Sequence, residues 1–166
     1  MGFTASGIKS NTVTTDAQAP LGFQLTVPDG DNGLQVWTYV FNDMPSTDLA
    51  VGDICVRDPS AATEDMYGVG VAGASTAVFA MSVIGIAQHA IAAGSYGFVL
   101  SKGKGLARTG TQDMTADTLF SSGGSTAGSC LIYADGTIGA IEIGMSLEAK
   151  TGDPATFNAY INCLGK

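Results

Sequence analysis

The segment LQVWTYVF (34–41) alternates strictly, placing Leu34, Val36, Thr38 and Val40 on one side and Gln35, Trp37, Tyr39 and Phe41 on the other. A period of two over eight residues predicts a β-strand, and large rings on the second side predict that it is covered on both faces or meets a partner. The same period recurs in LGFQLTV (21–27) and in TFNAYINCL (156–164). In the latter, Phe157, Ala159, Ile161 and Cys163 face one way and Asn158, Tyr160 and Asn162 the other, as in a half-exposed antiparallel strand. Further strands are expected at 54–57, 67–72, 78–88, 96–101, 104–109, 129–134 and 137–148. The alanines of 76–93 would allow a helix, but Gly85 and the β-branched residues favour strand. Twenty-three glycines and only 13% charged residues fit short strands joined by tight turns. The expectation is an all-β fold: an antiparallel β-sandwich or barrel, jelly-roll or tulip-like, over residues 21–166. Residues 1–20, rich in Thr, Ser, Ala and Gly, bury little and are expected to form an extended N-terminal arm.

A chain of 166 residues buries roughly two thirds of its unfolded surface, so neither metals nor disulfides are required for stability. Its three cysteines, Cys55, Cys130 and Cys163, are widely spaced and form no CxxC pair, which disfavours zinc and predicts inert buried thiols. The net charge of −8 argues against nucleic acid as a partner, because Lys and Arg supply most of the affinity for phosphate. The longest apolar run, AVFAMSVIGIA (77–87), is about half a membrane span, so no membrane partner is expected. The start, MGFTAS, matches the myristoylation pattern through Gly2 and Ser6, without a polybasic patch or second lipid signal to support it. Charge is unevenly spread: residues 66–112 hold no carboxylate and three basic groups, Lys102, Lys104 and Arg108.

Candidate chemistry is sparse. GVGVAG (68–73) satisfies GxGxxG, but no acid follows before Asp113 to hold a ribose, so small residues in a strand and turn account for it. DGDNG (29–33) opens like a calcium loop, yet Val40 stands where a bidentate carboxylate is required, and a hairpin turn explains the same letters. His89 is the only histidine and the only group suited to acid–base work near neutrality. No GxSxG elbow accompanies it, and the reading preferred is a histidine at the end of a strand. Asp43, Asp48, Asp53 and Asp58 recur every five residues in turn contexts, where Asp side chains accept from nearby backbone amides. SKGKGLAR (101–108) reads as a solvated hairpin with a basic tip, or as a contact for an acidic protein surface. No residue is singled out as catalytic, cofactor-binding or metal-ligating.

The stretch YGVGVAGASTAVFAMSVIGIAQHAIAAGSYGFVLSKGKGLAR (67–108) resembles a pattern of small proteins from tailed-bacteriophage head modules. In that pattern a YGV strand leads to a V-x-G-V-A-Q strand and then an I-A-x-G-x-Y-G-F/W-V hairpin. IGMSLEAKTGDPATFNAYINCLGK (143–166) is similar to the family's closing segment, and LAVGDICVRD (49–58) to an earlier strand of it. The likeness covers roughly residues 35–166, and Gly, Ala and Val carry most of it. What it implies is a capsid decoration, or cement, protein, non-enzymatic and without cofactor. Such a protein would sit on the outer surface of the virion head, bridge major capsid protein subunits and form a homo-oligomer, with a trimer favoured. On that reading Lys102, Lys104 and Arg108 are the basic contact and Tyr96 and Phe98 the aromatic packing anchors. Two other readings stand beside it. One is a β-sandwich carbohydrate- or receptor-binding module of a virion surface protein, with Trp37 and Tyr39 stacking on sugar. The other is a hydrolase using His89.

Overall fold

Alternating segments become strands by pairing with one another, and the pairings draw the described strands into one sheet. A computed structural model describes residues 7–57, 67–71, 83–123, 126–133, 142–152 and 154–163. Its strands are β1 (Gln24–Pro28), β2 (Leu34–Asn42), β3 (Ile54–Arg57), β4 (Gly68–Val71), β5 (Val83–Ala87), β6 (Tyr96–Arg108), β7 (Leu119–Ser122), β8 (Cys130–Ile132), β9 (Glu142–Ser146) and β10 (Thr156–Asn162). A single 3-10 turn, Gly30–Asn32, links β1 to β2, so DGDNG is the hairpin turn expected of it. The described residues contain no α-helix, and the fold is all-β. Residues 72–82 and 134–141 lie outside the described residues, as do Gly2, Ser6 and Asp58, and with them the last two residues of GVGVAG.

The sheet closes on itself. Its order is β1-β2-β4-β3-β5-β6-β10-β9-β7-β8, with β2 also paired to β6. Strands β2, β4, β3, β5 and β6 therefore form a closed ring, antiparallel except for β2 against β4. From β6 the sheet continues through β10, β9, β7 and β8, and a parallel bridge between Thr109 and Cys130 brings β8 back to the end of β6. Two rings thus share one strand. Closure removes edges that would otherwise offer unpaired backbone groups.

The cores follow from the rings. Val40, Cys55, Val69, Ala87 and Val99 form one cluster with Leu49 and Ile91. It takes a residue from each of the five strands of the first ring, so it must fill that ring's inside. Opposite faces of the same strands, through Trp37, Tyr39, Ile54, Val56, Phe98 and Leu100, join Phe120, Phe157 and Ile161 of the second ring in a larger cluster. Strand β2 is thus buried on both faces, as its sequence requires. The larger cluster is also covered by residues of the expected arm. Ile8 packs on it, Ala19 is buried, and the amide of Gln18 donates to Tyr39 Oη at 3.0 Å. Thr14 and Tyr96 exchange both backbone hydrogen bonds, at 2.8 and 3.0 Å. Through these contacts the segment from residue 8 to residue 19 lies against the body, with a turn closed by the Thr12 amide donating to the Lys9 carbonyl.

Strand β6 departs from the sequence expectation. Two strands with a basic hairpin between them were expected at 96–101 and 104–109; instead residues 96–108 are one strand that turns a corner. Gly103 adopts φ +118°, and a Cβ there would lie 3.0 Å from the Gln35 Cα and the Leu34 carbonyl oxygen. The glycine of KGK therefore admits the β2 backbone, with no turn closing between the lysines. Further along the strand, the space beside Gly105 is filled by Leu100 and Gln88, and Gly52 abuts Arg108. Gln88 fastens the bend by donating to the Leu106 carbonyl at 2.9 Å and accepting from its amide at 2.7 Å.

Phe98 lies in β6 with no exposure, against Tyr39 (ring centroids 4.9 Å apart) and Phe23 (6.5 Å). Phe98→Ala is expected to lower unfolding free energy by about 3–5 kcal/mol, read from urea or guanidinium denaturation.

Candidate functional site

The residues proposed from sequence as a contact do not converge. Phe98 is wholly buried, so it is a core residue and offers no surface; this corrects its assignment as an interface anchor. Tyr96 is half-buried, stacked on Tyr39 at 6.0 Å and tilted on Phe41 at 4.8 Å, with little ring left to present. Arg108 is also corrected. Its Nη2 lies 2.5 Å from Asp53 Oδ1, an ion contact without aligned hydrogen-bond geometry, and the same nitrogen donates to the Ala127 carbonyl. Side-chain exposures of 17% for Arg108 and 4% for Asp53 leave this pair almost entirely within the fold. Burial pushes the Asp53 carboxyl above its ordinary value, opposed by the Ala50 amide and by Arg108. Gly128 makes room for the contact, since a Cβ there would stand 2.5 Å from Asp53 Oδ1. Asp53 precedes β3 in the first ring and Ala127 precedes β8 in the second, so the pair pins the two rings together. Asp48 and Asp53 also accept from the amides of Ala93 and Ala50, the turn role anticipated for these aspartates.

Of the three thiols expected to be buried, Cys55 and Cys130 are, whereas Cys163 is half-buried. Cys55 and Cys130 are fully buried, and burial raises both thiols well above their ordinary range, which removes nucleophilicity. His89 follows β5; its Nε2 is buried and has no hydrogen-bond partner among the described residues. Among the described residues no group of three or more His, Cys, Asp or Glu could hold a metal ion. Trp37 and Tyr39, the candidate sugar-stacking pair, are 7% and 1% exposed, so that strand is core and cannot stack on a ligand.

What remains accessible is the outward face of β6, β10, β9 and β7. The β10 alternation predicted from sequence holds: Phe157, Ala159 and Ile161 are buried, while Asn158, Tyr160 and Asn162 face outward. Register extends this face sideways. Lys104 is opposite Tyr160, Tyr160 opposite Met145, and Met145 opposite Leu119, giving a cross-strand row about 14 Å long. Lys102 is opposite Asn162 on one side and Val36 on the other, which carries the face on to Leu34. Among the described residues five large apolar side chains are exposed, and four belong to this face: Leu34, Leu119, Leu147 and Tyr160. Lys102 is exposed, and Lys104 is half-buried with its ammonium 3.4 Å from Asn32 Oδ1. Directly opposite residues on paired strands share a face, so this grouping is a consequence of pairing. The outward placement of Tyr160 was visible in the sequence. Leu119, Met145 and Leu147 were missed, because only non-local register brings them beside it.

No model of a known protein family matches the chain, and no curated protein is significantly similar to it.

Replacing Arg108 with Met strands the Asp53 charge; a loss of about 3–5 kcal/mol is expected in denaturation, and adding Asp53→Asn should recover part of it. His89 gives a pH signature. Burial lowers its pKa from 6.5, so the unfolded chain takes up a proton that the folded chain refuses. Stability should be unaffected by His89 above that value and should fall as pH drops below it. Denaturation midpoints compared from about pH 7.5 to about pH 5.5 should show this slope in the wild type and lose it in His89→Gln.

Proposed function

We propose that this protein is a capsid decoration protein. In this reading it binds the outside of a phage head as a homo-oligomer, with a trimer favoured, stabilises contacts between major capsid protein subunits, and does no catalysis. The observation that supports the reading best is the outward face built on β10. It gathers most of the exposed large apolar side chains among the described residues and adds two lysines from the acid-free block, on a closed and thoroughly paired β body. An apolar patch rimmed by polar groups is the form of a protein-binding surface. A rigid sheet presents it with little ordering entropy lost on docking. The family resemblance of residues 67–108 and 143–166 points the same way. Arg108 and Phe98 take no part in the contact, since both serve the fold, and the basic contribution reduces to Lys102 and Lys104.

The carbohydrate-binding alternative loses its stacking strand to the core. The test is direct: the purified protein should co-sediment with heads that lack it, at a fixed ratio to the major shell protein. The double variant Lys102→Glu/Lys104→Glu should bind less tightly and respond less to added salt, because a favourable long-range attraction is removed. Failure of the wild-type protein to sediment with heads rejects the reading.

A further inference from the structure

Of the asparagines in the chain, Asn32 alone is followed by glycine. An asparagine amide is open to attack by the backbone nitrogen of the next residue, because the closure is intramolecular and forms a five-membered ring. A side chain on that next residue hinders the closure; glycine has none, and its backbone is free to reach the angles required. The turn between β1 and β2 leaves this pair open. Asn32 and Gly33 are both exposed, and a Cβ built at Gly33 would meet nothing within 4 Å. The Gly33 amide donates to the Gly30 carbonyl at 3.3 Å, the longest of the turn and loop backbone hydrogen bonds among the described residues, so it is lightly held. Asn42 is the contrast: it is wholly buried, and its Nδ2 donates to the Thr47 and Ile91 carbonyls at 3.0 and 2.9 Å. Asn158 and Asn162 lie within β10, and Asn11 precedes the β-branched Thr12.

A residue far along the chain completes the site. Lys104 Nζ donates to Asn32 Oδ1 at 3.4 Å, and Gln35 Nε2 donates to the Lys104 carbonyl at 2.8 Å, which holds that stretch of β6 beside the turn. An ammonium on Oδ1 draws electrons from Cγ and stabilises the negative charge that the oxygen acquires when Cγ is attacked. We infer that Asn32 is a site of spontaneous deamidation, with the Gly33 amide nitrogen as nucleophile and Lys104 as its electrostatic assistant. Hydroxide takes the Gly33 amide proton, the nitrogen bonds to Asn32 Cγ, and the bond from Cγ to Nδ2 breaks. Nδ2 leaves as ammonia, taking a proton from water. Water then opens the cyclic imide at either carbonyl, giving aspartate or isoaspartate at position 32. The aspartate product sets a carboxylate against Lys104, one of the two lysines left in the proposed contact. The isoaspartate product adds a methylene to the backbone of the turn. This chemistry belongs to the hairpin and stands whether or not the protein decorates a head.

The test holds folded, full-length protein in mildly alkaline buffer at physiological temperature and follows the tryptic fragment 10–57 by tandem mass spectrometry. Wild type should gain about 1 Da at position 32, the exchange of an amide NH2 for OH, before Asn11 or Asn42 changes. Lys104→Gln should slow that gain about fivefold, the worth of one unit charge at about 4 Å in water, whereas Lys104→Arg should keep most of the rate. Thermal melting checks that both variants fold. In concentrated urea, where the contact is broken, wild type and Lys104→Gln should react alike. If folded wild type gains no mass at position 32, or gains it no sooner than at Asn11, the site is rejected. If Lys104→Gln matches wild type in the folded state, is slowed equally in urea, or is no slower than Lys104→Arg, the role of Lys104 is overturned.

Discussion

Backbone hydrogen bonding along β6 is the constraint on which the remaining architecture depends. Its first half is held by β2 and β5 and its second by β10, and the bridge from Thr109 to Cys130 extends the line to β8. Each ring closes only because this strand belongs to both. A 13-residue strand can serve two rings if it bends, and the corner at Gly103 supplies the bend. A side chain there would drive into the β2 backbone, so the residue that permits the corner also permits the first ring to close beside it. The Asp53–Arg108 pair then fixes the angle between the rings. The pair is costly to bury, and removing one partner would leave the other charge uncompensated.

Where the rings meet, aromatic and aliphatic side chains exclude water, and where they part the strands show a wet face. That division places the thiols of Cys55 and Cys130 out of reach of solvent. The thiols of Cys55 and Cys130 occupy positions that any small apolar residue of matching volume could fill, within clusters that admit no reagent. The accessible chemistry is that of surfaces: methylenes, a phenol ring, amides and a few charges spaced by strand register.

Local periodicity carried much of the fold. Strands β2 and β10 were legible because their residues alternate, with burial following that period in β10 and both faces covered in β2, and the hairpin before β2 because Asp, Asn and Gly tolerate its backbone. Strand β7, LFSS, escaped notice: it is short, carries two buried serines and has no alternation to read. The split of β6 into two strands arose from taking KGK as punctuation, when its glycine answers to a neighbour distant in sequence. Arg108 reads as a surface cation for the same reason, since Asp53 stands beside it only after both rings have closed. The candidate site was legible in one strand. The outward face of β10 was visible from its period, but its continuation through Met145 and Leu119 needed the register.

Ring closure by a shared strand also sets an order of events. The first ring joins Val36 to Lys102, the covering segment joins Thr14 to Tyr96, and β10 reaches back from residue 156 to Arg108. Each of these contacts spans a long stretch of intervening chain whose freedom must be surrendered before the pairing rewards it. The protein therefore belongs among slow folders, and until β10 arrives at the end of the chain, the second half of β6 stands as an open template. That interval is the period of greatest exposure to mispairing with copies of the same polypeptide.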